Sequence, residues 1–243
     1  MSDLKLDKPL KRGDKKGQVK LIQEWLYLHD QRVGTDGDFG PATQAAVKDF
    51  QAKVGLPTNG VVDENTFARL IAPMLAALQP IPASGLSLGA LVVAYAHQHL
   101  AQHPREVGGQ NSGPWVRLYM DGHEGTPWAW CAGFVCFCLK QASDALGVAM
   151  PITKNFSCDE LAKSAKKNKI FVGSGDSHAK VGPGSIFLVR KTATDWTHTG
   201  IIVSTTNDTF KTIEGNTNNA GSTNGIEVRA RTRNLSTVDF III

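Results

Sequence analysis

The chain is 243 residues long, 42% hydrophobic and 20% charged, with a formal charge of +4 and a sequence pI of about 8.9, a length that suits one large domain or two small ones. Its longest apolar run, around residues 86–96, is broken by Ser87 and Gly89 and is too short to cross a bilayer, which excludes a membrane span, and four cysteines are too few and too unevenly placed for a disulfide scaffold. The first twenty residues hold seven Lys or Arg against three Asp, a patch that favours a polyanionic partner; without zinc-finger spacing, a basic helix or an aromatic-interleaved strand, nucleic acid is not expected. That same N-terminus alternates charges with isolated leucines and lacks both an apolar core and a small-residue cleavage site, so no secretory leader is expected and the chain is read as made in the cytoplasm.

Residues 10–73 read as three helices and two turns. Val19, Ile22 and Leu26 recur at helical spacing, residues 33–40 form a turn, and Pro41 suits a first helical position ahead of Ala46, Val47 and Phe50. A second turn spans 55–60, and the acidic start at Asp63 and Glu64 opens a last helix ending at Leu70 and Ile71. Phe39 and Phe50 read as core. Asp36 and Asp38 invite a calcium reading, but no acidic residue closes the loop at the required position, so no such site is expected.

The run Gly13, Gly17, Val19, Ile22-Gln23, Leu26, Asp36-Gly37-Asp38-Phe39-Gly40, Thr43, Ala46-Val47, Phe50-Gln51, Gly55-Leu56, Gly60-Val61, Thr66 and Leu70 resembles the three-helix peptidoglycan-binding domain family over nearly the whole module. The resemblance implies non-catalytic binding of peptidoglycan, an anionic polymer that also suits the basic patch. Domain boundaries follow as 1–73 for this module, 74–87 for a stiff connector with prolines at 73, 80 and 82 around it, and 88–243 for a second domain.

In that second domain helices precede strands, which gives an α+β class with an antiparallel sheet. A helix over 88–99 leads through a polar loop at 108–113 to Trp115 and Tyr119, and a further loop runs through Trp130 into Cys131. Cys131, Phe134, Val135, Cys138, Leu139, Ala142 and Leu146 share one helical face, so Cys131 sits in the first turn of a buried helix, where free amides and the helix dipole lower a thiol pKa. Three strands follow at 182–189, 197–203 and 209–216 as a meander, and Glu214 and Asn216 can approach His198 from the neighbouring strand. Cys136, Cys138 and Cys158 read as small packing residues. His97 and His99 point nearly opposite ways on a helix, so with His103 they do not predict a metal site, and His123 and His178 are rival bases in loops.

Trp130-Cys131-Ala-Gly-Phe-Val, Trp196-Thr-His198-Thr-Gly-Ile and Ile213-Glu214-Gly-Asn216 together resemble the CHAP family of cysteine, histidine-dependent amidohydrolases and peptidases, which is papain-like. The resemblance covers about residues 88–243. It implies Cys131 as nucleophile, His198 as general base, Glu214 as the primary orienter of the imidazole and Asn216 as a second polar partner, with no metal or cofactor. Ser185 stands where the family often has Asp, and residues 145–180 are a longer insert than usual. The expectation is thus a peptidoglycan amidase or endopeptidase that leaves the cytoplasm as a phage lysin or as an injected toxin, the latter with an immunity protein as partner. The alternatives are a wall-binding protein with an inactive papain-like domain, or a papain-like protease or transamidase targeted to the wall.

Overall fold

The structure, a computed structural model, describes residues 2–218, 224–235 and 238–243. In chain order the helices are α1 (Gln18–Leu28), α2 (Pro41–Lys53), α3 (Glu64–Leu70), α4 (Ala72–Ala77), α5 (Leu88–Leu100), α6 (Pro114–Tyr119), α7 (Cys131–Leu146) and α8 (Cys158–Lys167). The strands are β1 (Phe171–Val172), β2 (Ile186–Thr192), β3 (Asp195–Thr205), β4 (Thr209–Thr217), β5 (Glu227–Asn234) and β6 (Val238–Ile241), and the class is α+β. Among the described residues no helix is long and apolar enough to cross a membrane. Contacts divide the chain into two compact units, Met1–Leu78 with Arg105–Thr126, and Gln79–Pro104 with Pro127–Ile243.

The first unit packs α1, α2 and α3 around Ile22, Leu26, Phe39, Val47, Phe50 and Leu70, all fully buried. Its two turns are held by buried amides rather than by apolar side chains. Gln23 donates to Asp36 Oδ1 at 2.8 Å, to the Asp38 carbonyl at 3.0 Å and to Thr43 Oγ1 at 3.0 Å, while its oxygen accepts from the Gly37 amide at 2.8 Å. Gln51 repeats the device one turn later: it donates to Asn59 Oδ1, the Val61 carbonyl and Thr66 Oγ1, and accepts from the Gly60 amide at 2.9 Å. Asp36 is thereby spent on an internal turn, and Asp38 pairs with Lys15 at 3.1 Å.

Residues 105–126, which the sequence reading places in the second domain, gather with this first unit for an electrostatic reason. Arg117 on α6 is ion-paired with Asp3, Glu24 and Glu124, each at 2.6 Å, and Glu24 is fully buried on α1. A buried carboxylate needs such a partner. Trp25 and Trp115 add an edge-to-face contact at 6.0 Å. Part of the segment read as connector is helical as α4, which starts with Pro73 in its first turn.

In the second unit a six-stranded antiparallel sheet has the order β1-β6-β2-β3-β4-β5. The expected meander is its centre, β2-β3-β4, and the residues before β2 form a turn in which the Ser185 amide reaches the Gly182 carbonyl at 3.0 Å. Helix α7 lies against β3 and β4 and α5 packs beside it, while α8 covers β3 and β1. The buried side chains of α7 include Cys131, Phe134, Val135, Cys138, Leu139 and Ala142, and Gly147 closes it in the left-handed region. Close approach of α7 to the sheet depends on Gly215, where a Cβ would stand 2.7 Å from Phe134 Cβ and 2.9 Å from Trp130 Cζ3.

If the buried amides staple the turns, Gln51→Leu strands the Gly60 N–H, the Val61 carbonyl and Thr66 in an apolar site and lowers the stability of the first unit by about 2–4 kcal/mol. Guanidinium unfolding combined with amide exchange at Gly60 checks this, and an unshifted midpoint with Gly60 still protected contradicts it.

Candidate active site

Cys131 is the first residue of α7, and no side chain caps that end, so the first-turn amides face the thiol region. The thiol is almost wholly buried. Its sulfur lies 4.0 Å from that of Cys158, which is itself the first residue of α8, so the starts of two helices meet at a pair of thiols. Hydrogen bonding with Cys158, and after it the charge and hydrogen bonding of His198, hold Cys131 well below the usual thiol range against the opposing effect of burial. Cys158 is driven the other way by the same contact together with burial.

His198 stands near the start of β3 and Glu214 in the second half of β4, both fully buried. His198 Nε2 and Glu214 Oε2 are 3.0 Å apart. Room for the carboxylate comes from Gly200, where a Cβ would stand 2.7 Å from Glu214 Cγ. The other ring nitrogen, Nδ1, is buried and makes no hydrogen bond of ordinary length and angle. The Cys131 thiol is the neighbour that acts on the ring besides Glu214. Burial alone would lower the His198 pKa, but Cys131 and Glu214 outweigh it and raise it to about 9.

Glu214 has a second partner that the sequence reading missed. Arg233 on β5 grips the carboxylate with Nε on Oε1 and Nη2 on Oε2, both at 2.6 Å, and Thr212 Oγ1 donates to Oε1 at 2.6 Å. Burial pushes the Glu214 pKa up, yet Arg233 and then His198 bring it down to about 2. The guanidinium also lies over the Phe187 ring at 4.9 Å. Its signal in the sequence is the alternation Arg229, Arg231, Arg233, which puts arginine on one face of a strand at period two, opposite Glu214, Thr212 and Phe210 of β4 in the register.

Asn216 occupies a different position from the one its spacing suggests. Its φ is 55°, the β4-β5 register shifts between Glu214 and Thr217, and its side-chain amide donates to the Gly225 carbonyl at 2.6 Å. The carboxylate at the imidazole is Glu214, and Asn216 holds the neck of the β4-β5 connection. Asp159 in the first turn of α8 accepts from the Trp196 amide at 2.8 Å, bracing the strand two residues before His198. His99 is buried with Nε2 2.8 Å from Gln141 Oε1, and burial lowers its pKa to about 4. His178 packs on Phe240 at 5.0 Å between ring centroids, and His123 lies in the first unit. Among the described residues no group of three or more His, Cys, Asp or Glu gathers as a metal site.

Residues 15–70, which lie in the first unit, match the peptidoglycan binding domain family. No curated protein matches the chain. Among solved structures, the N-terminal domain of SleB is 31% identical, with 28% of this chain and 93% of that chain covered at a TM-score of 0.27. The Burkholderia AP3 phage endolysin is 26% identical, with 44% of this chain covered and a TM-score of 0.26, and the chain spans 41% of that endolysin's length.

A carboxylate held near pKa 2 contributes stability above its unfolded value of about 4.5 and loses it as pH falls towards 2. Arg233→Met is therefore expected to cost about 3 kcal/mol at pH 7 and much less at pH 3, because only the ionised Glu214 is left without its counter-charge. Denaturant titrations at the two pH values read this, and an equal loss at both would show that Arg233 acts through packing instead.

Proposed function

We propose that the second unit is a CHAP-type, papain-like cysteine hydrolase that cleaves an amide bond of peptidoglycan, brought to its substrate by the peptidoglycan-binding domain. The observation that carries the reading is the buried His198–Glu214 pair acting on a thiol at the start of α7. A buried ion-paired imidazole beside a helix-start thiol with a depressed pKa is the arrangement that activates a sulfur nucleophile.

His198 takes the Cys131 proton through Nδ1, while Nε2–H donates to Glu214 and fixes the ring. The thiolate attacks the amide carbonyl, and the resulting oxyanion is held in part by the Cys131 backbone amide at the helix start. The imidazolium returns its proton to the leaving amine as the C–N bond breaks, leaving a thioester on Cys131. Neutral His198 then draws a proton from water, whose oxygen attacks the thioester; the carboxylic acid departs and the thiol is restored. Arg233 keeps Glu214 ionised throughout, so the positive ring is matched by a fixed negative charge. The binding domain contributes effective concentration at the wall without entering the chemistry. The site of action would be the cell wall, reached by release or injection, with an immunity protein as partner in the injected case.

Incubation of purified peptidoglycan with the intact chain should release new soluble fragments whose masses name the bond cut, with Cys131→Ala or His198→Ala lowering the rate by about 10³-fold or more. Wall binding retained by Cys131→Ala without any release by the parent chain would sink the hydrolase reading and leave a binding protein.

The thiolate–imidazolium pair exists between the lowered Cys131 pKa and the raised His198 pKa, so kcat/KM should stay level through neutral pH and fall above about 9 as the ring loses the proton meant for the leaving amine. Glu214→Gln removes one of the groups that raise the ring, and the falling limb should move to lower pH. A parent limb already near 6.5 would mean that the ring is not ion-paired.

A further inference from the structure

We propose that Cys131 and Cys158 form an oxidisable dithiol site, in which a two-electron oxidant of the hydroperoxide class converts the two thiols into a disulfide that occupies the nucleophile. Four free cysteines are buried in this unit, and Cys158, read from the sequence as a packing residue like Cys136 and Cys138, is the one whose sulfur is hydrogen-bonded to that of Cys131. The two sulfurs stand 4.0 Å apart. A disulfide bond is about 2.05 Å long, so closure asks for roughly 2 Å of approach. Both residues begin their helices and each follows an irregular segment, so rotation about the Cα–Cβ bonds and a small shift of either helix start can supply that approach. Cys136, by contrast, already donates its thiol to the Asn155 carbonyl at 3.4 Å.

The chemistry balances with the peroxide as the only co-reactant. The Cys131 thiolate attacks one peroxide oxygen, the O–O bond breaks, and the departing hydroxide or alkoxide takes a proton from the His198 imidazolium. Cys131 is now a sulfenic acid, two electrons poorer. The Cys158 sulfur attacks that sulfur, its proton leaves with the expelled hydroxide as water, and the S–S bond forms. In sum two thiols and one hydroperoxide give a disulfide, water, and a second water or an alcohol. A small-molecule dithiol reverses the step by exchange. Capture of Cys131 as a disulfide also protects it from further oxygen addition, which no dithiol reverses.

The disulfide itself depends only on the placement of the sulfurs; the loss of activity it causes rests on the proposed role of Cys131. The full chain, reduced and freed of reductant, is treated with hydrogen peroxide, quenched with iodoacetamide and followed by intact mass, tryptic mapping and fragment release from peptidoglycan. Loss of the mass of two hydrogens, a crosslink between the peptides carrying Cys131 and Cys158, and return of both mass and release on dithiothreitol treatment are expected. In Cys158→Ser and Cys158→Ala, each compared with its own reduced form, Cys131 should instead gain two oxygens and dithiothreitol should recover nothing. The proposal is overturned if the parent chain takes two oxygens at Cys131 without a crosslink, or if the crosslink joins another pair. A reversible Cys131–Cys158 crosslink in a chain that releases no fragments in either state would uphold the dithiol and sink the hydrolase reading, while undiminished release by the crosslinked form would remove Cys131 from the chemistry.

Discussion

The second unit is organised around one carboxylate. Glu214 is fully buried and ionised, a state that is costly in a protein interior unless every lone pair finds a donor. Here the donors come from three strands: His198 from β3, Thr212 from β4 beside Glu214, and Arg233 from β5. Because the charge must be neutralised where it lies, the register of β3, β4 and β5 is tied to the same point as the imidazole. Gly200 follows from this constraint, since any side chain there would collide with the Glu214 side chain at Cγ and with the Phe187 ring.

The thiol end answers to a separate constraint, the approach of α7 to the sheet. Gly215 lets Trp130 and Phe134 close onto β4, and this sets where the first turn of α7 points its amides. One glycine therefore serves the His198–Glu214 pair and another serves the Cys131 thiol. The two meet only because His198 sits at the start of β3, where Asp159 and, through the Trp196 indole, Asp239 brace the strand.

Much of this was legible from local patterns, and what was not depended on long-range pairing. The helix stripes of α1, α2 and α7, the turn glycines and the strand pattern of β2, β3 and β4 lie within short windows, where period and composition carry the information. Cys131, His198 and Glu214 stand in such windows too. Arg233 and Cys158 do not: each acts through a neighbour that only tertiary pairing supplies, and an alternating arginine strand or a lone helix-start cysteine looks like ordinary surface or core. Asn216 departs from the regular strand pattern. Ideal period two placed it beside Glu214, but a residue with positive φ at a register shift leaves the regular pleat, and its amide turns to the backbone across the β4-β5 connection. The helix α6 was grouped with its sequence neighbours, whereas the Arg117 ion cluster ties it to α1.

Arg233 comes late in the chain, one hundred and two residues after the thiol it serves through Glu214 and His198. During synthesis the cysteine, the histidine and the glutamate are all made before the arginine that neutralises their buried charge. Without β5 paired to β4, a buried Glu214 would keep only His198 and Thr212 as partners, so burial of the carboxylate is coupled to completion of the sheet. A fragment ending before β5 would carry Cys131, His198 and Glu214 and still lack the guanidinium that matches the carboxylate.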